Sequence, residues 1–555
     1  MIDINELKKD LTGDVDASPE ALDQASHDAS IFEVKPEVVV HPKNVEDIKK
    51  LVNFVTAHSG AAAPMTLTAR SAGTDMTGGP LTESIVVSFT KYFNHIKEVG
   101  DQDGETSAGD TGYAITEPGV YYRDFDKATM EKGYIMPSYP ASREICTVGG
   151  MVANNSGGEK TLTFGKTEGY IRRLKMVAAD GNEYEFKPLT MAELEEKKKQ
   201  MTFEGEVYRG MSDLIDRNYG LLQNAKPAVS KNSCGYYLWN VWNKERGIFD
   251  LTKMIVGSQG TLGLVTEIEF ALVKPKIHSR LLVIFLTDLN LLAKTAAHVL
   301  QFKPESFESY DDHTFKIAMK FLPQLMKQMG GNLITLGLEF LPEMLAVLEG
   351  GVPKLVMMAE FTGDTPEEAV HKAEEAQASI KDLHEKSKVT ETATDAAKYW
   401  VIRRESFNML RHHVKELRTA PFIDDFAVLP EHLPEFLPRL YSILDQYKLT
   451  YTIAGHIGDG NFHIIPLMNL HQEKSHEVIK ELSIKVYELV HEFKGTITAE
   501  HNDGLIRTPF IKMQYGEEVY KLFEETKKIW DPKGIFNPGK KVAGTWEYAM
   551  AHVVK

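Results

Sequence analysis

Cysteine is scarce: Cys146 and Cys234 are the only two in 555 residues. A four-iron cluster needs four thiolates, so the chain cannot hold one alone, and the low count suits a reducing compartment. Positive charge is also lacking. A formal net charge of −16 argues against a nucleic-acid binder, which needs a basic face for phosphates, although a local arginine can still receive an anion. No run of about eighteen apolar residues is present to cross a bilayer. Met1 to Asn5 lacks the basic-then-apolar order of a secretory signal, so a cytoplasmic protein is predicted. Short-period repeats and low-complexity tracts are missing. The common nucleotide motifs fail as well. Gly165-Lys166-Thr167 looks like the end of a Walker motif, but Lys160 stands where its first glycine belongs, and no G-x-G-x-x-G follows a strand.

What is present is ordinary globular composition, 43% hydrophobic and 26% charged, in a chain long enough for two or three domains. Residues 1–30 are polar and read as a loose arm, with regular structure from Ile31. Val38 to Val40 reads as a strand. Asn44 should cap a helix with Val45, Ile48, Leu51, Val52 and Val55 on its apolar face. Leu174 to Ala179 is a further strand, turning at Asp180-Gly181. After Pro275 the pattern becomes strand–helix–strand. Leu281 to Leu286 precedes a helix from Asp288, and Leu355 to Phe361 precedes one opening at Thr365-Pro366-Glu367-Glu368. Two such units predict an α+β domain with helices packed on a sheet. The apolar stretch Gly330 to Gly351 is expected to be a buried helix pair, with a membrane-surface patch or lid as the alternative.

Three glycine-rich segments organise the first half. The first contains Arg70, Ser71, Ala72, Gly73, Thr74, Asp75, Thr77, Gly78 and Gly79, small residues that let backbone N–H groups converge on a diphosphate. The second runs from Pro137 through Ser142 and Thr147 to Gly149, Gly150, Asn154, Asn155, Gly157 and Gly158. The third spans Gly257 to Glu267 and includes Gln259, Gly260 and Val265. In this order and spacing they resemble the FAD-binding (PCMH-type) domain of vanillyl-alcohol-oxidase-type flavoproteins. The resemblance runs from about Ile31 to about Val542. It is nearest the branch of FAD-linked D-lactate dehydrogenases, glycolate oxidase flavin subunits and D-2-hydroxyglutarate dehydrogenases. It implies FAD on these three segments, with Asn537 near the ring. Relatives carry more glycine where this chain has Ser71 and Ala72. No histidine lies in the segments and Cys146 is at no familiar tether position, so noncovalent FAD is expected.

A second signal is Gly455-His456-Ile457-Gly458-Asp459-Gly460-Asn461-Phe462-His463. Turn residues between two apolar strands bring the flanking histidines together, and imidazole is the commonest ligand of borderline divalent metals. The third element, Thr496 to Gly504, reads as a strand ending in Glu500-His501. His456, His463 and Glu500 form a two-imidazole, one-carboxylate set for a divalent ion such as zinc or manganese. In the resembling family the matching positions hold a metal and the residue matching His501 is the base. An arginine matching Arg404, read as preceding a helix, grips the substrate carboxylate. Relatives acting on 2-hydroxyglutarate use a lysine that Pro421 to Asp425 lacks, and Asn502 replaces their usual glycine.

The sequence therefore predicts an α+β flavoprotein. A loose arm covers 1–30, a two-subdomain PCMH-type FAD domain 31–275, and an α+β, ferredoxin-like substrate domain 276–500. A segment over 501–545 returns to the FAD domain, followed by a tail over 546–555. The expected reaction is oxidation of a small D-2-hydroxy acid, D-lactate or similar, with the proton going to His501 and hydride to flavin N5. The alternatives are a metal-independent oxidase of an alcohol or sugar lactone, and an FAD-binding electron-transfer subunit. A quinone, carrier flavoprotein, cytochrome or oxygen is expected as electron acceptor. A homodimer and peripheral contact at the inner face of the membrane complete the expected partners.

Overall fold

The computed structural model describes residues 2–58, 65–101, 112–320, 352–413 and 417–554. The stretch 330–351, expected as a helix pair, lies outside them. Three larger sheets organise the described residues. The first has Val38–His41 parallel to Ile85–Ser88, which is parallel in turn to Leu67–Arg70. Val38 to Val40 are buried on both faces, as a continuous apolar run in a parallel sheet should be. Asn44 caps the helix Val45–Ala57, whose Ile48, Leu51, Val52 and Val55 are buried, as expected.

The first thirty residues are not a loose arm. They form the helix Ile4–Asp10, the strand Asp14–Asp16, antiparallel to Val38–His41, and the helix Pro19–Ser26. Asp3 and Ser18 cap the two helices and Pro19 sits in the first turn of the second, so the signals were local but short. Capped helices this brief are marginal alone and hold because the sheet edge accepts them.

A five-stranded antiparallel sheet follows, ordered Ile96–Asp101, Gly112–Thr116, Leu264–Leu272, Ile171–Val177 and Glu183–Phe186. The third sheet has eight strands, its paired strands all antiparallel. At its centre, Leu355–Gly363 lies between His278–Leu286 and Ser306–Asp311. Period-two alternation assigns its faces. Met357, Ala359 and Phe361 share a cluster with Ala373 and Ala376 of the helix Pro366–Ser379, whereas Val356 and Met358 meet Tyr399 and Ile402 of Ala393–His413. The helix pattern read from Thr365 is present, with Thr365 capping and Pro366 in the first turn. The hairpin Thr450–His456 and Asn461–Met468 carries this sheet toward the other two. Chain past residue 501 returns to the first sheet, where Phe536 pairs with Leu67.

Candidate active site

The hairpin puts both histidines on one face. His456 ends the first strand, His463 lies in the second opposite Ala454, and the turn passes through Gly460 at φ +63°. A Cβ on Gly460 would stand 1.8 Å from the Val428 carbonyl, so both the space and the backbone require glycine there. Glu500 meets the pair: its Oε1 is 3.0 Å from His456 Nε2 and 3.2 Å from His463 Nε2. The segment carrying Glu500 and His501 is not the strand expected from sequence. It makes one bridge, Thr496 to Ala427, and is otherwise irregular. The Asp425 carboxylate shapes it instead, accepting from the backbone N–H groups of Ala499, Glu500 and His501 at 3.0, 2.9 and 2.7 Å. Asp425, His463, Glu500 and His501 each bring one donor atom within 4.8 Å of the others. Those three bonds fall on Oδ2, and Oδ1 accepts from the Glu500 N–H and the Asn461 amide at 3.1 and 3.2 Å, so Asp425 serves the loop rather than an ion.

Each histidine of the pair is oriented from behind by a buried carboxylate. Glu308 Oε1 lies 2.6 Å from His456 Nδ1, and Asp424 Oδ1 lies 3.0 Å from His463 Nδ1. Asp424 Oδ2 also approaches His501 Nδ1 to 2.7 Å, off the axis of a good hydrogen bond. One carboxylate thus spans a ligand candidate and the base candidate. His463 and His501 stack with centroids 5.0 Å apart and an 18° interplanar angle. Burial would pull the His463 imidazole down, but Asp424 and then Glu500 outweigh it and push it up to about 10. His501 is raised against burial by Asp425 and Asp424. Glu500, opposed by burial, is held well below the carboxylate range by Lys231 and His456. Two Nε2 atoms and one oxygen converging, each imidazole tied at Nδ1 to an acid, fit zinc or manganese.

A cavity of about 630 Å³ joins this cluster to the glycine-rich segments, within the ~300–1,000 Å³ usual for cofactor sites. Its wall includes Ser71, Ala72, Gly73, Thr74, Asp75 and Gly79 from the first segment. Ser142, Thr147, Gly149, Gly150, Asn154 and Gly157 come from the second, and Gln259, Gly260 and Val265 from the third. A Cβ on Gly149 would stand 2.5 Å from the Pro118 carbonyl, and one on Gly157 3.1 Å from Glu500 Oε2. Glycine at these two positions lets the second segment pack directly against Pro118 and Glu500, where a Cβ would crowd them.

Seven residues predicted to touch the cofactor stand off this wall. Arg70 turns away and donates to the carbonyls of Gln24, Ala25 and His27. Thr77 donates to Asp75, and the Gly78 N–H to Asp28. Asn155 donates its amide to Glu168, Gly158 lies against the Tyr139 carbonyl, and Pro137 is set back. Asn537 is fully buried and staples the loops, donating to the carbonyls of Gly79 and Gln259 at 3.0 and 2.7 Å.

Arg403 and Arg404 both line the cavity, inside the helix Ala393–His413 rather than before it. The Arg404 guanidinium holds both oxygens of Glu159 at 2.8 and 2.6 Å and lies over Trp400. Arg403 touches Glu308 at 3.2 Å, and its buried Nε has no hydrogen-bond partner. Asn502, unexplained from sequence, has φ +70° and donates to the carbonyls of Asn154 and Gly257 at 3.1 and 2.9 Å. Sequence reasoning missed Glu308, Asp424, Asp425, Lys231 and Arg403. The adjacent Asp424-Asp425 was the only signal available, and it was read for a missing lysine.

Residues 36–187 match the family model for the FAD binding domain, and residues 276–541 match that for the C-terminal domain of FAD linked oxidases. The D-2-hydroxyglutarate dehydrogenase of Pseudomonas putida is 25% identical over 521 residues, 92% of this chain and 49% of that protein. The chain thus spans about half the length of that relative. The glycolate oxidase subunit GlcD of Bacillus subtilis is 27% identical over 528 residues, 93% of this chain and 92% of that one. Among solved structures, 4-ethylphenol oxidase from Gulosibacter chungangensis superposes with a TM-score of 0.65 at 14% identity, covering 98% of this chain and 97% of that chain, and so shares the fold. No described helix is long and apolar enough to cross a membrane. With both halves of the fold matched and the glycine-rich cradle facing the histidine cluster, the chain belongs to the FAD-linked oxidase flavoproteins, which join an FAD binding domain to this C-terminal domain.

Proposed function

We propose that the protein oxidises a small 2-hydroxy acid to the 2-oxo acid, using noncovalent FAD in the glycine-lined cavity and a divalent ion on His456, His463 and Glu500. The convergence of Glu500 Oε1 on both Nε2 atoms within 3.2 Å carries this reading. When bound, the ion polarises the substrate hydroxyl and the flavin accepts the hydride. This chain's residues supply the rest. The negative charge of Asp424 Oδ2, 2.7 Å from Nδ1, leaves Nε2 of His501 as the nitrogen to take the hydroxyl proton, and Asp425 and Asp424 favour the imidazolium that forms. Arg403 gives one nitrogen to Glu308 and Arg404 one nitrogen to Glu159, so either guanidinium on this wall keeps donors for the substrate carboxylate.

Thr452, Ala454 and Ile465 line the cavity next to the histidines, and such short or apolar side chains favour a compact monocarboxylic acid. The name of the Pseudomonas relative supports a second reading, a five-carbon dicarboxylate. One experiment separates them: anaerobic flavin bleaching by D-lactate, glycolate, D-malate and D-2-hydroxyglutarate, with metal analysis on the same sample. D-Lactate should bleach fastest. Fastest bleaching by D-2-hydroxyglutarate favours the second reading, and bleaching by none of the acids removes both. Cytoplasmic placement and dimerisation belong to this proposal also. Gel filtration and fractionation test them.

A further inference from the structure

Lys231 is fully buried, and its ammonium faces the back of the histidine cluster. Its Nζ donates to the Gly158 carbonyl at 3.2 Å and lies 3.3 Å from Glu500 Oε2 and 3.5 Å from Asp459 Oδ2. Ser230 donates to the other Asp459 oxygen at 2.6 Å. The two oxygens of Glu500 are therefore divided, Oε1 to the histidines and Oε2 to the lysine. Gly157 leaves the Oε2 side open, since a Cβ there would stand 3.1 Å away. No sequence motif pointed to this lysine, and the proposed reaction does not use it.

We infer that Lys231 is a positioning residue that makes Glu500 a one-oxygen ligand and withholds part of its charge from the ion. The inference rests on the metal site proposed above. Two consequences follow from like-charge repulsion across one carboxylate. The ion is bound less tightly than a free His–His–Glu set would bind it. It also keeps more of its positive charge for the substrate hydroxyl, which lowers the pH at which that hydroxyl gives up its proton. A lysine that merely neutralised Asp459 would produce neither effect.

The test uses the FAD-loaded full chain. Wild type, Lys231→Met and Lys231→Arg are stripped with chelator and titrated with Mn²⁺, and flavin reduction is followed across pH with whichever acid reduces wild type fastest. Lys231→Met should bind Mn²⁺ about tenfold more tightly, yet its flavin should be reduced about a hundredfold more slowly, with the rising limb of the pH profile moved to higher pH. Lys231→Arg should stay near wild type in both. Weaker or unchanged Mn²⁺ binding by Lys231→Met, or tighter binding without slower reduction, overturns the inference. Where the methionine variant does not fold, Lys231→Gln keeps a donor toward Gly158 and Glu500 and should show the same two opposed changes. Wild type binding neither Mn²⁺ nor Zn²⁺ would instead remove the metal reading itself, and the inference with it.

Discussion

Replacing Asp424 with asparagine tests whether one carboxylate governs both the ligand histidine and the base. Asp424 is fully buried, with oxygens 3.0 Å from His463 Nδ1 and 2.7 Å from His501 Nδ1. Burial opposes its charge, but the His501 and His463 imidazoles hold it well below the usual carboxylate range. An asparagine offers one acceptor and one donor group. Whichever way the amide turns, one imidazole faces an NH₂ group where a carboxylate oxygen stood, which drives its proton from Nδ1 to Nε2. On His463 that proton sits on the nitrogen facing Glu500 and bars the ion. On His501 it fills the nitrogen that must take the substrate proton. Losing the working tautomer in an Asp–His catalytic pair costs about 10⁴ in rate, so flavin reduction should fall roughly 10³–10⁴-fold, about 4–5.5 kcal/mol of barrier. The assay is anaerobic stopped-flow bleaching of the FAD-loaded variant. Its flavin spectrum and melting temperature verify the fold, and its metal content shows which histidine was struck. Reduction within about tenfold of wild type, at full metal occupancy, would refute the reasoning.

Three further outcomes are expected. Because His463 sits at about 10 without an ion, metal must displace its proton, so Mn²⁺ affinity should rise about tenfold per pH unit between about pH 6 and about pH 8; a flat calorimetric profile sinks this. Asn502→Ala forces a non-glycine, non-asparagine residue into a left-handed turn and orphans two carbonyls, costing roughly 3 kcal/mol, whereas Asn502→Gly keeps the turn and should lose about 2 kcal/mol. Chemical denaturation measures both, and equal losses would contradict the strain argument. Removing the first thirty residues strips a sheet edge strand and the carbonyls that hold Arg70. FAD retained through gel filtration should then drop sharply, and wild-type retention would show that this segment does not support the cradle.

The sequence disclosed what local spacing encodes. The three glycine segments could be read because a cradle needs its small residues close together along the chain, and fifteen of the twenty-one residues named in them line the cavity. His456 and His463 could be read because one turn joins them and Glu500 because it completes a ligand set of two imidazoles and a carboxylate, whereas the role of His501 came only through family resemblance. The supporting acids were hidden by distance along the chain. Asp424 lies 39 residues from His463 and Glu308 148 residues from His456, and no period or motif links such pairs. Arg403 and Arg404 are neighbours on one helix. Only the positions of Glu159 and Glu308 show which nitrogens of each guanidinium are already taken. The polar start of the chain was misread because its apolar contacts are few, although its caps were visible at Asp3 and Ser18.

The loop carrying Glu500 and His501 is fastened from two directions. The Asp425 carboxylate grips its N–H groups from the eight-stranded sheet, and the Asn502 amide grips carbonyls of the cofactor half. Anyone grafting this C-terminal domain onto a relative's FAD binding domain would have to move 424–425, 496–507 and the receiving carbonyls together. A crossover placed between them would produce a chimaera that keeps every ligand yet aims none of them.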